Sequence, residues 1–574
     1  MKRHVRYIVI PLICSLLVIG ISGCRDRGTL DVSVLEQTET EQESLHQSLD
    51  NLKRLDNDRT GRIRDELIYD LNHWLDGEIH EDSWIYPTLV NQLPAHLTKY
   101  DDVVDPDPNR FFPADVLYLR ECQWLSGISQ WVVKYSDQAH NDLWASLIPT
   151  ELSKGDRAQL RIAMSLFDWT IRNLQLIDLP RYPSSGADGG GAIQVTASSE
   201  GLAGPGYTKR PNQILDNMTA DSWQRARIFM LLARQQQLET LMIGPAAQDR
   251  KNRMPWVTGI VISDQIWLVS CDDGMPLLDP NNGVWLRLSD LQSNADLAYT
   301  LLSDDGFEVA AETANEFIAF LEGSPMALSQ RMAMLQRHLT GDFRLTLYAN
   351  VLLLARKLTQ EFDLQRAVLW TTAYEAEEYS LAIMQKARER DPIAELILKE
   401  EGELYRNVPA IRVARNLYYS GEFIDFDDED GIHQDGARTF MMIARISDGD
   451  LEKLESEKEV QQKLGLVRGE NENKLAFTKR VREQKQYLIK AKRLASFWLS
   501  MLHMEEGNYQ QAIEWFETRL MPEGDSHPLH HIAKYNLARC YVAIGETRKA
   551  TEILNNSESV QSDGDKALAG LLSN

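Results

Sequence analysis

Acyl transfer near neutral pH needs a nucleophile beside a base, and in thiol enzymes a cysteine and a histidine fill those roles. The cysteines and histidines of this 574-residue chain are therefore the first residues to place. Cysteine occurs at Cys14, Cys24, Cys122, Cys271 and Cys540, and no histidine lies between His140 and His338. Cys271 is the one cysteine in that stretch. Its neighbours Asp272, Asp273 and Asp279 are carboxylates, which raise a thiol's pKa rather than lower it. Ser222 opens the helical run Asp221-Ser222-Trp223-Gln224-Arg225-Ala226-Arg227, where it reads as an N-cap, and a hydroxyl without a base is a weak nucleophile. Asp101, Asp102, Asp105 and Asp107 are interrupted by prolines and lack the glycine of a calcium loop. Asp425, Asp427, Asp428, Glu429 and Asp430 put Asp430 where that loop needs glycine and Gly436 where it needs glutamate, so an exposed acidic loop is expected. The glycines from Gly186 to Gly206 lead into no Gly-Lys-Ser/Thr step that would open a phosphate-binding helix. No metal and no cofactor is expected.

A different chemistry stands at the N-terminus. Met1, Lys2, Arg3, His4 and Arg6 precede an apolar stretch from Tyr7 to Ile21, which ends in Ile21-Ser22-Gly23-Cys24. A basic start, a short apolar core and small residues form a secretory signal. The cysteine at its end resembles the lipobox of bacterial lipoproteins, which implies a lipid on Cys24 as the mature first residue. The apolar run is short for a bilayer span, which disfavours a plain signal anchor. Asp26 to Asp58 is rich in Glu, Gln, Ser, Thr and Asp and reads as a flexible tether, with Leu45, Leu49 and Leu52 at helical spacing as its one hint of structure. The formal charge of -24 opposes phosphate backbones and anionic head groups, so nucleic acid is excluded as a partner and lipid, not charge, is what holds a membrane. Once Cys14 leaves and Cys24 is acylated, Cys122, Cys271 and Cys540 are odd in number and far apart, which is no disulfide framework.

The elements that must hold Ser222 and Cys271 can be read from periodicity. Ile63, Leu67, Leu71 and Trp74 give one buried helical face from Arg62 to Trp74. Asp105-Pro106-Asp107-Pro108-Asn109 breaks the pattern before a second helix after Pro113, carrying Leu117, Leu119, Trp124, Leu125, Ile128 and Trp131. Leu160, Ala163, Leu166, Phe167, Ile171 and Leu174 describe a third, and Ala226, Phe229, Met230 and Ala233 a fourth behind Ser222. The period then switches to two. Trp256 to Ile262, the turn Ser263-Asp264-Gln265, and Ile266 to Ser270 predict a β-hairpin, and Asp279-Pro280-Asn281-Asn282-Gly283 a turn.

This order of helix, paired strands and Leu-Asp-Pro turn resembles the transglutaminase-like fold of papain-type thiol enzymes, over residues 141–300. The resemblance implies a nucleophilic cysteine at the helix N-terminus, a histidine base on the first strand and an orienting aspartate on the second. Here Ser222 before Trp223 holds the first position, Trp256-Val257-Thr258 the second and Ser270-Cys271 the third. All three catalytic side chains are missing: Ser222, Trp256 and Ser270 mark degenerate positions, and Cys271 is the remaining nucleophile candidate. Trp223, Trp256 and Trp267 either pack in the core or contact peptide or sugar. With Phe167-Asp168-Trp169-Thr170-Ile171-Arg172-Asn173 and Ala233-Arg234-Gln235-Gln236, the chain also resembles transglutaminase-like lipoproteins of planctomycete-type bacteria, which implies a source among double-membrane bacteria.

Beyond Asp290 the pattern is helical, with Phe343, Leu345, Leu347, Tyr348, Val351, Leu352, Leu354 and Leu358 predicting one central helix and Glu452 to Arg493 a charged linker helix. Gly507-Asn508-Tyr509-Gln510-Gln511-Ala512-Ile513 with Phe516, then Leu537-Ala538, Tyr541, Gly545, Ala550 and Leu554, resembles two tetratricopeptide repeats. The fold expected is mainly α with a small α+β domain. Its parts are a signal peptide (1–23), a flexible tether (24–60), an N-terminal helical region (61–140), a degenerate transglutaminase-like domain (141–300), a helical region (301–420), an acidic loop with a linker helix (421–485), repeats (486–565) and a tail (566–574). The function expected is that of an exported, lipid-anchored protein of the periplasm or outer membrane. Its partners are the membrane, through Cys24, and a protein or peptide bound on the repeats at Tyr509, Phe516 and Tyr541. Two alternatives stay open: an acyl-transfer or peptidase-type enzyme using Ser222 or Cys271 with a base from another segment such as His140, and a purely structural envelope component.

Overall fold

The structure is a computed structural model that describes residues 45–573 apart from positions 47, 59, 78–86, 99–109, 137–142, 178–208, 248–253, 393, 396–397, 399–401 and 428–430. Cys24, His140, the glycine-rich stretch Gly186 to Gly206, Asp101 to Asp107 and Asp428 to Asp430 lie outside the described residues. Among them the fold is mainly helical around one mixed six-stranded sheet. A short parallel pair, β1 (Gln175–Leu176) and β2 (Thr219–Ala220), precedes the sheet. The sheet itself contains β3 (Glu239–Pro245), β4 (Val257–Ile262), β5 (Gln265–Ser270), β6 (Met275–Pro276), β7 (Phe317–Leu321) and β8 (Ala367–Leu369), in the order β6-β5-β4-β3-β7-β8. Its pairings are antiparallel except β7 with β8.

β4 and β5 are strands because Val, Ile and Trp suit a pleated surface, and the Ser263-Asp264 turn joins them with Ser263 at φ 52°. Alternate residues feed two cores. Met242, Ile260, Ile262, Trp267 and Val269 join one, while Leu241, Ile243, Val257, Val261, Ile266 and Leu268 join the other. Both faces of the sheet are therefore covered. Gly259 is needed in the middle, since a Cβ there would sit 2.7 Å from Ile266 and 2.9 Å from Ile243.

The helices that matter for the site are α1 (Arg62–Gly77), α2 (Pro113–Ser136), α3 (Lys154–Asn173), α4 (Ser222–Gln235), α5 (Val351–Glu361), α6 (Pro409–Ser420), α7 (Ala437–Ala444), α8 (Lys474–Glu505), α9 (Tyr509–Trp515), α10 (His530–Ala543), α11 (Thr547–Asn555) and α12 (Ser562–Ser573). Ser153 caps α3 by accepting from the Asp156 N–H at 3.1 Å, and Asn473 caps α8 by accepting from Ala476 at 2.8 Å. Gly507 (φ 75°) and Gly545 (φ 80°) make the turns α8–α9 and α10–α11, and the fully buried Ala512, Ala538 and Ala550 let those helices approach closely. No described helix is long and apolar enough to cross a membrane.

Several expectations need correction. The tether does not run to residue 60: Leu45, Leu49 and Leu52 are buried among Leu67, Leu71 and Leu75 of α1, and His46 stacks on Phe343. Three leucines at helical spacing outweigh the polar composition around them. The sheet does not stop at residue 300, because β7 and β8 fall in the stretch expected to be helical. Phe317-Ile318-Ala319-Phe320-Leu321 is buried on both faces and so shows no period. The helix expected from Phe343 to Leu358 begins only at Val351, where the Asn350 side chain accepts from the Leu353 N–H at 3.2 Å. Before it Gly341–Phe343 forms a 3-10 turn and residues 344–350 are irregular, with the Leu347 and Tyr348 N–H groups donating to the Gln336 side chain. The linker helix is preceded by two short helices, Asp448–Lys453 and Lys458–Lys463.

Candidate functional site

Ser222 is the first residue of α4 and half-buried, but it is not the cap. Asp221 is, its carboxylate accepting from the Gln224 N–H at 2.8 Å. Burial pushes the Asp221 carboxyl up to about 7, against the lowering effect of that bond and of Lys209. One turn on, the almost fully buried Arg225 ties the region together. Its guanidinium donates to the Leu174 carbonyl at 2.9 and 2.6 Å, to the Cys271 carbonyl at 3.2 Å and to the Gln561 side chain at 2.5 Å. Burial lowers its pKa to about 10.

The strand register brings Thr258 opposite Val269 and next to the start of the turn after β5. The Thr258 hydroxyl lies 3.1 Å from the Met242 sulfur and 3.7 Å from the Cys271 thiol. Burial pushes that thiol up to about 12, outweighing the Thr258 hydroxyl and Arg225, so it stays protonated at neutral pH. Ser270 uses its hydroxyl to accept from the Asp273 N–H at 3.0 Å, which shapes the turn. Trp256 donates its indole N–H to Asp305 at 2.5 Å and stacks on Phe317. Trp223 packs edge-on against Trp370, and Trp267 against Trp285. Trp267 is buried, whereas Trp223 and Trp256 are half-buried.

No imidazole among the described residues is hydrogen-bonded to Ser222 or Cys271. His338 sits against Trp74 at the far core. His531 of α10, which sequence reasoning missed, lines a water-sized cavity with Arg225, Tyr535, Gln561 and Asp565. Neither Ser222 nor Cys271 lines that cavity. No family model, curated protein or solved structure matches this chain.

The chain's own C-terminal helix occupies the end of the hairpin. Gly564 of α12 lies so close to the turn that a Cβ would be 2.0 Å from the Asp273 carbonyl oxygen, and a Cβ on Gly274 (φ 69°) would meet Ile171 and Gln561 at 2.8 and 2.9 Å. The Phe167 to Asn173 motif makes the rest of this interface. Asp168 pairs with Arg172 at 2.6 Å and with Arg539 of α10 at 2.7 Å, Arg172 continues to Glu505 at 2.5 Å, and Asn173 accepts from the Tyr418 hydroxyl at 3.1 Å. Gln175 donates to the Pro528 carbonyl at 2.9 Å. Apart from the Asp168–Arg172 pair, each partner is hundreds of residues away in sequence, which leaves no local signal to read.

The repeat residues expected to bind are mostly packed. Phe516 is fully buried, and Tyr541 is buried with its hydroxyl donating to Glu517 at 2.5 Å and Lys549 over its ring. Tyr509 is half-buried. An open groove of about 290 Å³ lies elsewhere, between α8 and the residues around Tyr405, lined by Asp216, Glu403, Tyr405, Glu483, Tyr487 and Lys490. Cys122, Cys271 and Cys540 are free and buried, with no disulfide among the described residues.

Proposed function

We propose that this chain is a lipid-anchored cell-envelope protein that acts as a non-catalytic binding and scaffold module, in which a degenerate transglutaminase-like unit serves as a platform for the tetratricopeptide-like helices. The observation that carries this is the state of Cys271: a protonated, buried thiol beside Thr258, with no imidazole bonded to it among the described residues and with α12 docked over the adjoining turn. A nucleophile for acyl transfer needs the opposite, an accessible thiolate with a paired imidazole. The motif that resembles the lipoprotein family is spent on holding α10 and α8, which suits a rigid platform. The groove near Tyr405 and Tyr487 leaves room for a partner segment that the packed repeat aromatics do not.

The test is co-purification from membranes of the native host with three forms of the chain. The S222A/C271S variant keeps the wild-type set of envelope proteins, and C24S releases the chain from the membrane fraction. Loss of the set in S222A/C271S, or an unchanged membrane fraction in C24S, refutes the proposal.

A further inference from the structure

Between α6 and α7, Phe426–Asp427 pairs antiparallel with His433–Gln434 as a short two-stranded hairpin, with His433 paired to Asp427. Nothing apolar holds it, since Ile424, Phe426 and Ile432 are all exposed. A two-stranded hairpin on its own is marginal in water. Its register brings Asp425, His433 and Asp435 together, with one ligand atom of each within 4.8 Å of the others.

Two of these side chains are already oriented from behind. His433 Nδ1 lies 3.2 Å from Asp427 Oδ1, which leaves Nε2 facing Asp435 Oδ1 at 3.6 Å. Asp425 Oδ1 accepts from the Gly436 N–H and the Thr439 hydroxyl, both at 2.8 Å, bonds that do not use Oδ2. A metal-bound imidazole almost always gives its other ring N–H to a carboxylate, and metal-bound carboxylates are in turn hydrogen-bonded. That is the arrangement here, built by residues outside the three ligands. Gly436 is required for it, because a Cβ there would lie 2.4 Å from the Ile424 carbonyl carbon.

We propose that Asp425, His433 and Asp435, with Asp427 behind the imidazole, form a site for a divalent first-row transition-metal ion of the Zn²⁺ class. One imidazole nitrogen and two carboxylate oxygens suit such an ion, whereas Ca²⁺ takes about six to eight oxygens. The ligand atoms, all within 4.8 Å of one another, close to about 3.4 Å around a tetrahedral ion with bonds of about 2.1 Å, which exposed side chains reach by small rotations. Binding fastens the hairpin to the first turn of α7, because Asp425 already holds Gly436 and Thr439 there. The calcium-loop template hides this site, since it omits His433 and Asp435.

The experiment is calorimetric titration of the full chain, stripped with a chelator, with Zn²⁺ alone, paired with proteolysis of residues 424–436. Zn²⁺ binds at one equivalent per chain and slows cleavage in the hairpin. D427N weakens binding roughly 10- to 100-fold, as loss of an orienting carboxylate does, and H433A weakens it further and abolishes the protection. All four side chains are exposed, so an unchanged melting temperature confirms that the variants fold. Equal Zn²⁺ affinity in the wild type and H433A, or cleavage indifferent to Zn²⁺, overturns the proposal.

Discussion

Replacing Asp168 by Asn probes the joint between the sheet domain and the C-terminal helices most sharply. Asp168 is nearly buried and lies between two guanidiniums, Arg172 at 2.6 Å and Arg539 at 2.7 Å. Burial opposes its ionisation, and Arg539 and Arg172 outweigh burial to hold its carboxyl below the usual range. In the variant Arg172 keeps Glu505, but Arg539 is left with the Tyr535 hydroxyl at 3.1 Å and an Nε that already has no partner. Removing one partner of a buried pair costs about 3–5 kcal/mol, and the retained amide places the expected loss near the lower figure, about 3 kcal/mol. Urea unfolding followed by tryptophan fluorescence measures it. D168N lowers the midpoint, and D168N/R539M loses less than the sum of the single changes. The pH dependence has a fixed sign: a depressed carboxyl contributes stability that is complete above its unfolded pKa of about 3.9 and is lost as pH falls through the folded value. The wild type therefore loses its advantage over D168N below about pH 4. A change under about 0.5 kcal/mol at pH 7 refutes the buried pair.

A second pH effect runs the other way. Burial pushes Glu121 up to about 7 from 4.5, so its cost to the fold grows between those values and reaches about 3 kcal/mol, from 2.5 units at about 1.4 kcal/mol each. E121Q is accordingly more stable than the wild type at pH 8 and equal to it near pH 4.5 in thermal melts; identical pH slopes contradict this. On α12, G564A destabilises by about 1–3 kcal/mol, because its Cβ meets the Asp273 backbone, and speeds amide exchange at residues 271–274. G570A on the same helix, with nothing within 4 Å, stabilises by up to about 1 kcal/mol, and equal melting shifts for the two refute the docking of α12.

What could be read before the structure was what leaves a period. α1, α2, α3 and α4 have apolar residues on one face, and the β4–β5 hairpin has β-branched strands around a polar turn. β7 was hidden because a strand buried on both faces loses its alternation, and β8 because three residues are too few to show one. Asp168, Arg172 and Asn173 stood out as a motif, yet their partners Arg539, Glu505 and Tyr418 are joined to them only by folding. The lack of any histidine between His140 and His338 was legible from residue types alone. The closure of the turn at Cys271 by Gln561 and Gly564 was not, because those residues carry no chemistry that spacing reveals.

The most direct measurement is mass spectrometry of the native full chain after treatment with a fluorophosphonate and with iodoacetamide at neutral pH. A buried, protonated thiol and a hydroxyl with no imidazole bonded to it among the described residues predict no adduct on Cys271 or Ser222 until the protein is denatured, when Cys271 alkylates fully. Stoichiometric labelling of either residue in the folded protein would contradict the non-catalytic account.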